Sequence, residues 1–258
     1  MAKNSRPLIL VSNDDGYRAK GINELMYVLG EFADLVVVAP DGPRSGAGAS
    51  ITSVTPLQYE LVEEREGLSV YKCNGTPVDC VKLGLDKIVP RRPDLVIGGI
   101  NHGDNSSVNV HYSGTMGVVI EGCLKGIPSI GFSLCDHSED AYFAGCFPYI
   151  VSIVTQVIDN GLPYGSCLNV NFPKVDVYKG IRICRQTDGV WRQEFEPCQH
   201  PKGKDFFWLT GVYYNNEPDA RDTDHWALDH GYVAITPTTI DATDYRLKDE
   251  MIHWNLGV

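Results

Sequence analysis

Four short apolar runs set the strongest limit on what this chain can fold into: "LILVS" at 8–12, "DLVVVA" at 34–39, "DLVIGGI" at 94–100 and "PSIGFSL" at 128–134. Each is nearly continuous rather than alternating, the pattern of a strand covered on both faces. Between the first two, Ile22, Leu25, Met26, Leu29 and Phe32 recur at helical spacing and predict a helix over 21–32. A strand, a helix and a second strand in this order imply a parallel sheet with a right-handed crossover.

The rest of the chain extends the pattern. Residues 55–73 read as a hairpin turning at 65–67, and "NGTPVDCVKLGL" opens a helix capped by Thr76 with Pro77 at its first position. Residues 116–124 and 141–159 read as helices, and 168–172, 181–184 and 231–237 as strands. Over 186–216 the character changes: Trp191, Phe195, Phe206, Phe207, Trp208, Tyr213 and Tyr214 load a segment that could form a long hairpin around Lys202 and Gly203. Such an apolar excursion usually packs on something, another subunit included. The expected architecture is a single α/β domain over 1–258 with a protruding β-rich arm near 186–216.

Charge and cysteine usage exclude several classes. The formal net charge of −11 disfavours a nucleic-acid polymer as partner, while a small phosphorylated ligand stays open because local donors can outweigh the global field. The polar start and the short run after it match neither a signal core nor a membrane span, so a cytoplasmic protein with no membrane partner is expected. The eight cysteines form no C-x-x-C pair and read as buried reduced thiols. His225 and His230 stand five apart, off the zinc-binding i, i+4 spacing.

In an open α/β sheet, ligands bind at the carboxyl ends of the strands. The first strand delivers Asn13, Asp14, Asp15 and Gly16 there, the second a loop with Arg44, Ser45 and Gly46, and the third Asn101 followed by "HGDNSSVNVHYSGTMG". Carboxylates, a hydroxyl and an amide are oxygen donors, the preference of Mg²⁺, Mn²⁺ or Ca²⁺. Taken alone, Asp14-Asp15 fits a simple turn; the polar loops after the other two strands shift the reading toward a cation site. Ser113-Gly114-Thr115 precedes an apolar helix and suits either a phosphate or an ordinary N-cap. No G-x-G-x-x-G follows the first strand, which weakens a dinucleotide reading.

Several neighbouring residues read as ordinary. Glu121 is expected to be solvated or to cap its helix, and Lys82 to face solvent. His102 and His111 lie near the loops and could protonate a leaving group, although a lone loop histidine is more often merely exposed. Tyr112 could stack on a base or simply pack.

Six segments in order, "ILVSNDDGYRAKGI", "VVVAPDGPRSGAGASIT", "NGTPVDCVKLGL", "PDLVIGGINHGDNSSVNVHYSGTMGVVIEG", "LNVNFP" and "TDHWALDHGYVAITP", together resemble the survival protein SurE family, from Leu8 to about Pro237. The resemblance implies a metal-dependent 5'-nucleotidase. Its fold would be a Rossmann-like three-layer α/β core with a mostly parallel sheet, and a C-terminal arm exchanged between subunits of a homodimer or homotetramer. It implies one divalent ion per subunit on Asp14, Asp15, Ser45 and Asn101, with Asp14 and Asp15 central to catalysis. Phosphate contacts are implied at Asn105, Ser113, Gly114 and Thr115. Gly98, "GAGAS" after Ser45 and the interior of "HGDNSSVNVHYSGT" depart from the commoner family pattern, which touches substrate preference more than metal binding.

The expected reaction is metal-assisted attack of water on the phosphomonoester of a nucleoside 5'-monophosphate. Base preference and action on 3'-monophosphates or short polyphosphate stay open. Two other classes compete. A Mg²⁺-dependent receiver-like signalling module also places an acidic pair after its first strand, but this chain is about twice too long for one, and its third strand ends in Gly-Ile-Asn without an isolated Asp. A non-catalytic nucleotide-binding protein would need the phosphate-binding helix and no metal pair.

Overall fold

The computed structural model describes residues 6–199 and 202–256. Residues 1–5 of the polar start, and 200–201 in the turn of the expected long hairpin, lie outside the described residues.

The chain opens with β1 (Leu8–Ser12), α1 (Lys20–Gly30) and β2 (Asp34–Pro40), then a hairpin of β3 (Tyr59–Arg65) and β4 (Leu68–Cys73). Helix α2 (Pro77–Leu83), β5 (Leu95–His102), α3 (Gly114–Leu124), β6 (Ser129–Leu134), α4 (Phe147–Asn160) and β7 (Ser166–Phe172) complete the core alternation. After β8 (Ile181–Ile183) come the arm strands β9 (Gly189–Arg192), β10 (Phe195–Gln199), β11 (Asp205–Leu209) and β12 (Val212–Asn215). The chain closes through α5 (Asp224–Asp229), β13 (Val233–Thr239) and α6 (Tyr245–Met251).

Nine of the described strands form one sheet in the order β3-β4-β2-β1-β5-β6-β7-β13-β8. The run from β4 to β7 is parallel throughout, while β3 and β13 pair antiparallel to their core neighbours. Side chains alternate across this sheet. Ile9, Val11, Leu35 and Val37 pack with α1 and α4 on one face, and Leu8, Leu10, Val36 and Val38 pack with α2 and α3 on the other. The parallel sheet is the one expected from the four apolar runs, and the three-layer α/β arrangement is the one the resemblance implies. No helix among the described residues is long and apolar enough to cross a membrane.

Local chemistry explains most boundaries. Thr76 accepts from the Asp79 amide while Asp79 reaches back to the Thr76 amide, a reciprocal cap with Pro77 in the first turn. The helix expected over 141–159 instead begins at Phe147, after a short tight turn at Ala144–Cys146. Pro148 has no N–H to give a preceding turn, so it starts the helix and cannot lie inside it.

Two expectations about side chains are corrected. Glu121 is not solvated: it is 3% exposed and ion-paired with Lys82 at 2.9 Å and Lys125 at 3.6 Å. Lys82 accordingly turns its ammonium to that buried carboxylate instead of pointing freely into solvent, because an unpaired buried charge is costly. The cysteines are all free thiols, with Cys198 on the arm exposed and the others buried or half-buried.

The arm consists of two antiparallel pairs. β9 pairs with β12 at its base, and β10 pairs with β11 beyond it. Phe206, Phe207, Trp208 and Leu209 on the outer pair are exposed, Trp208 by 70%.

Candidate active site

The carboxyl ends of β1, β2 and β5 converge because these strands are parallel and adjacent. Beyond β1, Asn13 closes a small clasp: its amide donates to the Gly16 carbonyl at 3.0 Å and its oxygen accepts from the Gly16 amide at 3.2 Å. Gly16 has φ 97°, a left-handed conformation that suits glycine. The clasp holds Asp14 and Asp15 between its ends. The loop after β2 is tied to the same point, since the Arg44 amide donates to the Asp14 carbonyl at 2.7 Å. Ser45, next in the chain, is therefore brought to the acidic pair, with its side chain exposed.

On β5 the register against β6 slips between Gly98 and Asn101. Such a bulge re-aims the residues that follow it. The Gly99–Ile100 peptide within it is cis. Asn101 donates its side-chain amide to the Gly103 carbonyl at 2.8 Å, and the His102 amide donates to Oδ2 of Asp15 at 3.2 Å. Asp14, Asp15, Ser45 and Asn101 thus come from three strand ends onto one edge.

The start of α3 faces the same edge. Ser113 caps it, accepting from the Met116 amide at 2.9 Å. The Thr115 hydroxyl donates to Oδ1 of Asp14 at 2.6 Å. A side chain on Gly114 would place its first carbon 2.6 Å from Cβ of Asp14, so only glycine permits this approach. Two residues expected to contact phosphate, Gly114 and Thr115, therefore lie directly against Asp14.

Asp14 is 5% exposed. Burial pushes its carboxyl up to about 6; the Thr115 hydroxyl opposes that shift, neighbouring Asp15 adds to it, and the Gly114 amide lowers it. Asp15, half-buried, is also raised by burial, opposed by the His102 amide and by the charges of His102 and His137. Two adjacent carboxylates, one buried and one half-buried, are a site for positive charge. The donor set, two carboxylates with a hydroxyl and an amide oxygen, fits a hard divalent cation. Among the described residues no group of three or more His, Cys, Asp or Glu stands at metal-binding separation, and this set has only two such members.

Asn105 is buried in an amide network. Its backbone amide donates to Asn171 at 2.8 Å, its side chain donates to Ser133 at 2.8 Å, and its carbonyl accepts from Asn169 at 2.8 Å. Asn169 and Asn171 lie two apart on β7 and are linked at 2.9 Å. Sequence reasoning missed these two, although a pair of amides on one face of an apolar strand is a legible signal. His137, whose ring lies against Gly103, carries no such signal; it follows β6 in an exposed loop. His102 packs its ring edgewise on Phe143 at 4.9 Å, while His111 and Tyr112 are exposed.

Comparison with known proteins identifies the family. The family described as Survival protein SurE matches residues 9–193. The chain is similar to the 5'-nucleotidase SurE of Phocaeicola vulgatus, at 63% identity over 99% of this chain and 100% of the relative. It is also similar to the 5'-nucleotidase SurE of Bacteroides fragilis, at 55% identity over 98% and 100%. The crystal structure of SurE protein from Aquifex aeolicus superposes with a TM-score of 0.81 at 37% identity, covering 95% of this chain and 98% of that one.

Proposed function

The chain belongs to the survival protein SurE family, and we propose that its 5'-nucleotidase activity, hydrolysis of the phosphomonoester of a nucleoside 5'-monophosphate, runs at the sheet edge around Asp14. The observation that carries this reading is an acidic pair, Asp14 buried and Asp15 half-buried, facing a helix N-terminus, with Asp14 beneath the start of α3. A helix start favours phosphate oxygens, and an acidic pair can share that space only if positive charge joins it.

Asp14, Asp15, Ser45 and Asn101 would hold one divalent ion, magnesium, manganese or calcium. When bound, such an ion supplies charge against the phosphoryl oxygens and acidifies water at the site. The chain's own residues do the positioning. Thr115 orients Asp14 by donating to it. Ser113 accepts from the helix with its oxygen, which leaves its hydroxyl hydrogen to give to a phosphate oxygen. Asn105, fixed by Asn169, Asn171 and Ser133, presents an amide whose place is set before substrate arrives. Preorganised donors of this kind act on the charge that develops in the transition state.

The substrate is a small nucleotide and neither a nucleic-acid polymer nor a membrane. The exposed aromatic side chains on both faces of β10 and β11 support association with a second copy of this chain, as homodimer or homotetramer with exchanged arms.

The test is phosphate release from a panel of nucleoside 5'- and 3'-monophosphates, short polyphosphate and p-nitrophenyl phosphate. Each is assayed with Mg²⁺, Mn²⁺ or Ca²⁺, with and without chelator. Metal-dependent release from 5'-monophosphates is expected. Tight nucleotide binding without release under any metal would identify a non-catalytic binder instead.

A further inference from the structure

Asp224 takes no part in the chemistry proposed above, yet it is a fully buried carboxylate. It stands at the first position of α5, behind the Thr223 cap. One oxygen accepts from the Ser107 amide at 2.9 Å. The other accepts from the Thr187 amide at 3.0 Å, from the Thr187 hydroxyl, and from the His225 amide at 2.8 Å. All of these donors are uncharged, and they reach the carboxylate from three separate segments.

Ser107 lies two residues after Asn105 and six before Ser113, inside the loop that joins β5 to α3. Its φ is 50°, a left-handed conformation on a residue that is not glycine. Such a residue persists only where its surroundings over-determine it. Here the Ser107 amide is held by Asp224, its hydroxyl donates to the Thr187 carbonyl at 2.9 Å, and the Tyr213 hydroxyl donates to it at 2.8 Å. Two residues on, Asn109 accepts from the Trp191 indole at 2.8 Å. Thr187, Trp191 and Tyr213 all belong to the base of the arm.

We infer that Asp224 is a positioning residue for the nucleotidase reaction: through Ser107 and Thr187 it clamps the β5–α3 loop to the arm base and so sets Asn105 and the start of α3 toward the phosphate. The inference rests on the proposed active site. It assigns the arm base a part in substrate binding in addition to any role in assembly. Asp14 and Asp15 are also held from their own side, by the Asn13 clasp and the Arg44 amide, so loss of the clamp acts on phosphate more than on the cation.

The test compares wild type with Asp224→Asn, which keeps the shape but turns an N–H donor toward donors. Losing a charge-assisted bond to a fixed loop raises KM for the nucleoside monophosphate, and the inhibition constant of inorganic phosphate, by about tenfold. Mn²⁺ affinity measured by calorimetry changes by less than KM does, and amide exchange accelerates across 106–111. Ser107→Gly alone, which removes the hydroxyl that ties the loop to Thr187 and Tyr213, raises KM and the phosphate inhibition constant in the same direction; general loss of stability would instead weaken Mn²⁺ binding to the same extent. A folded Asp224→Asn protein with wild-type KM and phosphate inhibition overturns the inference. If that variant does not fold, Tyr213→Phe decides, with a rise in KM of about threefold supporting the clamp and an unchanged KM overturning it. Wild-type protein that releases no phosphate would sink the nucleotidase reading alone; exchange at 106–111 in the variants still decides the clamp.

Discussion

The Thr115 hydroxyl donates to Oδ1 of Asp14 across 2.6 Å, joining the first turn of α3 to the end of β1 over 101 positions of chain. This bond makes the helix start part of the acidic site. Replacing Thr115 by Val keeps the shape and removes the donor. A buried carboxylate that loses one hydrogen bond loses about 1–3 kcal/mol of support, which corresponds to a fall in kcat/KM of about fivefold to 150-fold. Steady-state kinetics with a nucleoside monophosphate and Mn²⁺ check this, and a Val variant with wild-type kcat/KM would remove Thr115 from the mechanism.

Asp14→Asn abolishes turnover and does not weaken the metal-free fold at neutral pH. A carboxyl moved from 3.8 to about 6 carries a penalty on its charged form of about 3 kcal/mol. The native state keeps that proton at pH values where the unfolded chain has released it. Metal-free stability from this group is therefore highest below about pH 4, falls as pH rises toward 6, and is level above it. In chelator, the Asn variant should melt at or above the wild-type temperature at pH 7.5, and the two should converge near pH 4. A markedly lower melting temperature for the variant at pH 7.5 contradicts the electrostatic account.

Gly114→Ala forces a methyl group to within 2.6 Å of Cβ of Asp14 and 2.9 Å of its carboxyl carbon. Either α3 or the acidic loop must shift, at about 1–3 kcal/mol. Mn²⁺ affinity and kcat should fall together in calorimetry and phosphate-release assays. Retention of both at wild-type levels shows that the close approach has no function.

The outer hairpin carries Phe207 and Trp208 exposed by 60% and 70%. Replacing both by Ser is expected to shift the protein toward a smaller species in light scattering coupled to size exclusion. If its mass in solution does not change, these two side chains, on opposite faces of β11, do not form the self-association surface.

Much of the molecule could be read from local chemistry. The apolar runs announced parallel strands because a strand covered on both faces has no polar side to alternate with, and Thr76-Pro77 announced α2 because both residues satisfy a helix start. The start of α4 was misplaced, since apolar Ala141 and Phe143 are buried without being helical, and burial alone does not distinguish a packed loop from a helix. Glu121 read as a surface residue because its nearer partner, Lys82, comes from α2, which spacing along α3 does not reveal.

By itself the sequence determined which strands are buried, their order along the chain, and that oxygen donors gather beyond three of them. Periodicity and residue type act over a few neighbouring positions, and that range suffices for those conclusions. Only the tertiary structure decided that Gly114 and Thr115 turn to Asp14, that Asn169 and Asn171 lock Asn105, and that Asp224 reaches Ser107 across 117 positions. Those contacts depend on the packing of α3 and the arm base against the sheet, where a hydrogen bond forms only if two distant segments arrive within about 3 Å of each other.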